Sequence, residues 1–267
     1  MDNRPIGVFD SGLGGLTAVR EIMQLLPNES IIYFGDTGRV PYGSRSKETI
    51  IKYTRQDIRF LKQYDCKTLV IACGTASSVA LATVCNDYDI PIIGVVESTA
   101  HRACTSTRNG KIGIIGTHAT IKSGSYVRLI GEEMPEAETY TTACPLFVPL
   151  VENGRISPDD AILKLAVEEY LTPLRDKCVD TLILGCTHYP IISDAIANFM
   201  GHDVTHINPG YEEAHYLSTM PSFSPCEEKV GTYRFFVSDD VSSFRAQASM
   251  FLGKPVDSVE LVNIESV

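Results

Sequence analysis

Short, uninterrupted apolar runs recur along the chain and end in glycine or polar turns: IGVFD (6–10), SIIYFGD (30–36), TLVIAC (68–73), PIIGVVE (91–97), KIGIIGT (111–117), TLILGC (181–186) and VTHIN (204–208). Runs that are apolar at successive positions predict strands buried on both faces. Between them lie segments with apolar residues at helical spacing. GLTAVREIMQLLP (15–27) stops at Pro27, and SKETIIKYTRQDIRFLKQY (46–64) opens with Ser46 and Thr49 as start signals. Strands alternating with such helices predict parallel sheet covered on both sides.

Near Glu97 the pattern restarts. GKIGIIGTHAT (110–120) resembles RPIGVFDSGLG (4–14) in leading an apolar strand into a glycine- or hydroxyl-rich turn, and each is followed by its own cysteine-terminated strand. Two similar parallel-sheet α/β domains, facing each other across a cleft, are therefore expected. YRFFVSDD (233–240) and SSFRAQASMFLG (242–253) suit a return of the chain to complete the first half. The expected division is 1–97 plus 208–267 in one domain and 98–207 in the other.

Composition adds constraints. With 23 basic residues against 33 acidic ones, a net charge of −10 and a pI near 5.1, the chain lacks the concentrated positive charge of a general nucleic-acid binder. A small substrate is expected instead. No apolar stretch reaches the roughly 18 residues a membrane span needs, and the first residues contain no long apolar signal region, so a soluble, cytoplasmic protein is expected. Eight cysteines in 267 residues, with no CxxC pair and no His/Cys spacing of a zinc site, argue for reduced thiols and no metal. Cys66, Cys85, Cys104, Cys144 and Cys178 read as small core side chains.

Cys73 and Cys186 differ in context. KTLVIACGTASS (67–78) and VDTLILGCTHYP (179–190) share one plan, an apolar strand delivering a cysteine at its end. Ligands of open parallel sheets sit beyond the carboxyl ends of the strands, where Asp10, Asp36, Cys73, Thr117 and Cys186 all fall. A thiol just before a helix is expected to be held as thiolate, its pKa drawn from about 8.5 towards roughly 3.5–7.5. Cys186 with His188 alone suggests a Cys–His nucleophile, as in thiol hydrolases. One such cysteine in each half suggests another chemistry: one thiolate removes a proton from carbon and the opposite thiol returns one to the other face. FDSGLGGLT (9–17) also imitates a dinucleotide-binding turn through Gly12, Gly14 and the later Asp36, but Thr17 occupies the third glycine position and both cysteine strands stay unexplained.

GVFDSGLGGLT (7–17), GDTGRVPYGSRS (35–46), ACGTASS (72–78), GIIGTHAT (113–120), CPLFVPLVE (144–152) and LGCTHYP (184–190) resemble, in this order, the motif set of the bacterial glutamate racemases. The similarity runs from about residue 6 to residue 214. It implies an aspartate/glutamate racemase-like fold, a homodimer and a two-base reaction without cofactor that supplies D-glutamate for peptidoglycan. Cys73 and Cys186 match the two catalytic cysteines, with Asp10 and His188 as their tuning neighbours. Substrate-binding roles are implied for Asp10, Ser11, Tyr42, Gly43, Gly74, Thr75, Thr187 and His188. In the family asparagine is usual where this chain has Gly74, so an amide expected to hold the amino acid is missing, and restoring it is expected to lower KM. VVESTA (95–100) lacks the usual Pro-Gly, and Asn208 stands where aspartate is common. Alternative readings are a racemase for another acidic amino acid, or a racemase-like protein of weak or lost activity that serves by binding; some glutamate racemases contact DNA gyrase.

Overall fold

The structure is a computed structural model that describes residues 2–226 and 230–267. The chain runs β1 (Ile6–Asp10), α1 (Leu16–Leu25), β2 (Ile31–Gly35), α2 (Lys47–Lys62), β3 (Thr68–Ile71), α3 (Gly74–Val84) and β4 (Ile92–Gly94). It continues through α4 (Val95–Ser106), β5 (Lys111–Gly116), α5 (His118–Ser123), α6 (Ser125–Glu133), β6 (Glu138–Ala143), α7 (Phe147–Glu152), α8 (Ala161–Asp176), β7 (Thr181–Gly185), α9 (Ser193–Met200) and β8 (Thr205–Ile207). It closes with α10 (Pro209–Thr219), β9 (Tyr233–Val237), α11 (Val241–Leu252) and the short β10 (Glu260–Leu261).

These strands form two parallel sheets, one in the order β10-β9-β2-β1-β3-β4 and one in the order β6-β5-β7-β8. The continuous apolar runs behave as expected of strands with helices on both faces: β1, β2, β3 and β7 are buried at every position. Register aligns their carboxyl ends, with Asp10 opposite Gly35 in the first sheet and Gly116 opposite Gly185 in the second. The chain crosses between the sheets twice, through α4 and α10, and those two helices pack on each other.

Local chemistry explains most boundaries. Ser46 caps α2 by accepting from the Thr49 amide at 3.3 Å, and Asp160 caps α8 through the Ile162 and Leu163 amides. Asn208 accepts from the Gly210 amide at 3.1 Å, so asparagine serves as the cap of α10. The run 91–97 departs from expectation: only Ile92–Gly94 is strand, and Val95 begins a helix whose first two valines are both buried. A long apolar run does not by itself say where strand turns into buried helix. The edge strand β6 was not foreseen, because its sequence ETYTTA is polar and half-buried. Among the thiols expected in the core, Cys178 is exposed, Cys85 and Cys104 are half-buried, and Cys144 borders the cleft.

Candidate active site

A cavity of about 270 Å³ lies between the carboxyl ends of the two sheets. Cys73 follows β3 and Cys186 follows β7, so the repeated plan seen in the sequence delivers both thiols to this one cavity. Ser11, Tyr42, Gly43, Gly74, Thr75, Thr187 and His188 also line it. Of the strand-end residues singled out for the site, Asp10 and Asp36 stay behind the wall.

Cys73 caps α3: the Ala76 amide donates to its Sγ at 3.4 Å, and Ser11 Oγ lies 3.4 Å from it. The expected lowering of its pKa does not occur. Burial, followed by the nearby Asp10 carboxylate, pushes the thiol up to about 12, and the Ser11 and Ala76 contacts offset only part of this. A helix N-terminus contributes partial charges, whereas desolvation acts on the whole charge of the thiolate.

Asp10 is itself buried. Its Oδ2 accepts from the Gly12 amide at 2.9 Å, and Oδ1 has no well-formed hydrogen bond. Burial raises its pKa; the charge of His188 and the amides of Gly12 and Gly15 oppose that rise.

Cys186 has different company. His188 Nδ1 lies 3.8 Å from its Sγ, and His188 Nε2 lies 3.0 Å from Glu152 Oε1. Burial alone would depress the imidazole, but the thiol on one side and the carboxylate on the other outweigh it and carry His188 up to about 10. An imidazolium held between Glu152 and Cys186 is the electrostatic partner a thiolate needs. The ring also packs edge-on against Phe251, with centroids 5.3 Å apart.

The glycine-rich turn after β1 serves contact between the halves. A Cβ on Gly14 would fall 2.1 Å from Thr187 Oγ1 and 2.6 Å from the His188 ring, so glycine lets the Cys186 strand end approach. Thr17 Oγ1 also lies 3.0 Å from the Thr187 carbonyl oxygen. Residue 17, which spoils a nucleotide fingerprint, thus ties the two lobes together. A hydroxyl pair, Thr75 with Thr117 at 2.9 Å, bridges them on the other side. Thr117, placed at a strand end by the sequence, lines the cavity as well; His118, Cys144, Pro145 and Val148 join it without having been singled out, since nothing local to their sequences marks them as facing it. Glu152 was visible only as the acid closing CPLFVPLVE. Tyr42 lines the cavity, but its hydroxyl is turned to Asp36 and Asp57 and is not offered to a ligand.

Among the described residues no group of three or more His, Cys, Asp or Glu is arranged to hold a metal ion, and no helix is long and apolar enough to cross a membrane.

Two parallel-sheet lobes that enclose one cleft, with a strand-end thiol from each lining it, are the architecture of the aspartate/glutamate racemase class, and comparison with known proteins places the chain in that class. Residues 7–212 match the model of the Asp/Glu/Hydantoin racemase family, and the chain belongs to that family. Within it the chain groups with the glutamate racemases, which are isomerases. It is 42% identical to the glutamate racemase of Geobacter metallireducens, over 98% of each chain. The crystal structure of a glutamate racemase isoform from Bacillus anthracis superposes with a TM-score of 0.93 at 40% identity, over 98% of each chain. That of the Francisella tularensis glutamate racemase, solved in complex with D-glutamate, superposes at 0.92 with 39% identity over the full length of both.

Proposed function

We propose that this chain interconverts L- and D-glutamate by two-base proton transfer, Cys73 serving one face of the α-carbon and Cys186 the other, without a cofactor. The supporting observation is the convergence of both strand-end thiols on one cavity from opposite lobes. One cysteine, as thiolate, takes the α-proton and becomes a thiol. The electron pair left on carbon is delocalised into the substrate carboxylate, and the opposite thiol gives its proton to the other face, ending as thiolate. The reverse reaction exchanges the roles.

The hydroxyls of Ser11, Thr75 and Thr187 and the first amides of α3 are the donors available to the substrate carboxylates. The substrate ammonium, brought into the cavity beside Cys73, supplies the positive charge that this thiol lacks in the free protein and favours its ionisation as the amino acid binds. At Cys186 the imidazolium of His188, braced by Glu152, stands beside the thiol and can pair with it as it exchanges its proton. The product D-glutamate suits peptidoglycan synthesis in the cytoplasm, and a homodimer is the assembly we expect.

Incubation with either enantiomer in D₂O, with no added cofactor, tests this directly. Loss of optical activity with uptake of one α-deuterium per turnover is expected; retention of the α-proton during racemisation would exclude the mechanism. Gly74 favours one second reading. Without a side chain there, the cavity offers one fewer donor, and if aspartate or another acidic amino acid turns over faster than glutamate, the chemistry stands and the substrate changes.

A further inference from the structure

Residues 40–44 form a continuous stretch of the cavity wall, yet they belong to no strand or α-helix. A buried polar cluster stands behind them. Arg39 Nε donates to Asp36 Oδ2 at 2.7 Å, and its terminal nitrogens donate to Asp57 Oδ1 at 3.0 Å and Gln56 Oε1 at 2.6 Å. Its guanidinium lies 4.1 Å above the Tyr53 ring. Ser238 donates to Asp36 Oδ1 at 2.8 Å. The hydroxyl of Tyr42 touches two carboxyl groups at once, Asp36 Oδ2 and, at 3.0 Å, Asp57 Oδ2. Both aspartates are wholly buried.

The proton count of this cluster is informative. A phenol has one hydrogen to give, and its oxygen can also accept. If both aspartates were ionised, one of the two contacts would set lone pair against lone pair in a dry site, where an unmade hydrogen bond is costly. Two buried carboxylates would also face a single guanidinium, with Glu265 at the rim adding a third negative charge and Asp10 of β1 a fourth from behind. One proton on one carboxyl cures both problems. Asp36 already receives hydrogen bonds from Arg39, Ser238 and Tyr42, whereas among the described residues Asp57 has only Arg39 besides the Tyr42 contact. The proton therefore belongs on Asp57 Oδ2, which donates to Tyr42 Oη, which donates in turn to Asp36.

We propose that Asp57, outside the cavity and on α2, is a positioning residue that keeps a proton at neutral pH and, through the Tyr42 hydroxyl, holds the 40–44 wall in its substrate-receiving shape. Burial and the charge of Asp36 both push its carboxyl well above the ordinary range, in keeping with this assignment. The same wall meets the opposite lobe: a Cβ on Gly43 would fall 2.7 Å from Thr117 Cβ, so a shift of this segment alters both the pocket and the contact that closes it.

The effect on substrate rests on the racemase reading, so the test has one arm that does not. In Asp57→Asn the amide donates to Tyr42 and accepts from Arg39 as the neutral acid does, and KM for glutamate should stay within about twofold. Asp57→Ala should raise KM by roughly tenfold, with kcat changed less, as expected for loss of a buried hydrogen bond that shapes the site. In the infrared difference spectrum between wild type and Asp57→Asn at neutral pH, wild type should show the C=O band of a protonated carboxyl. Absence of that band, its loss in Asp36→Asn in place of Asp57→Asn, or an unchanged KM in Asp57→Ala would overturn the proposal. If Asp57→Ala does not fold, the infrared comparison of the two asparagine variants decides.

Discussion

Gly74 and Gly185 meet across the cleft: a Cβ on residue 74 would lie 2.6 Å from the carbonyl oxygen of Gly185. Residue 74 opens α3 in one lobe and residue 185 ends β7 in the other, so glycine here lets two backbones touch. This revises the expectation that asparagine at 74 would tighten glutamate binding, because its amide cannot enter unless the lobes part. Gly74→Ala and Gly74→Asn should both cost about 1–3 kcal/mol in denaturant unfolding and raise KM. A fall in KM for Gly74→Asn with unchanged stability would show that the strand ends separate freely.

Each thiol should be dispensable for one half of the reaction only. Cys73→Ser and Cys186→Ser are each expected to lower racemisation by about 10²–10⁴-fold or more, the usual contribution of a positioned base. Solvent exchange of the α-proton should persist for one enantiomer in each variant, with opposite preferences. Equal exchange of both enantiomers in both variants would refute one thiol per face.

The pair His188 and Glu152 links stability to pH. His188 has a folded-state pKa raised from 6.5 to about 10, so the stability that it contributes is fully present below about pH 6.5 and is lost as pH rises through about 10. Glu152→Gln removes one of the groups that raise it. The stability gap between wild type and this variant should therefore be wide near pH 6.5, with the imidazolium formed and the carboxylate ionised, and close towards pH 10. It should not exceed about 1 kcal/mol, since the Glu152 side chain is 38% exposed and screened by water. A gap that widened from pH 6.5 towards pH 10 would mean that His188 is neutral in the folded protein.

Asp10 sits close enough to Cys73 to raise its pKa, second only to burial. Asp10→Asn, nearly isosteric, should make Cys73 alkylate faster at mildly alkaline pH, by up to roughly tenfold for each unit that the thiol pKa falls. Unchanged alkylation, with the fold intact, would place the carboxylate's influence elsewhere.

Much of this was written in the order of residues. The strand runs announced two parallel sheets because strands covered on both faces have nothing to alternate. The repeated cysteine strand pointed to a shared site because strand ends in such sheets converge. Other features depend on three-dimensional neighbours that no short stretch encodes. That Gly14 is glycine because Thr187 and His188 pack against it is one such feature: the sequence set aside the nucleotide turn but gave no reason for this glycine. Tyr42 was expected to bind substrate; it lines the cavity, but two buried carboxyl groups, from 36 and 57, claim its hydroxyl. The pKa of Cys73 was misjudged because position beside a helix is visible in sequence and depth of burial is not.

The unequal surroundings of the two thiols, a carboxylate behind Cys73 and an imidazolium beside Cys186, have a kinetic limit. Enantiomers in water have identical free energies, so an equilibrium between them must stand at unity, and kcat/KM must be the same in both directions whatever charges the protein places near its bases. The asymmetry can therefore appear only as kcat and KM moving together: the direction with the faster turnover must also need more substrate to reach it.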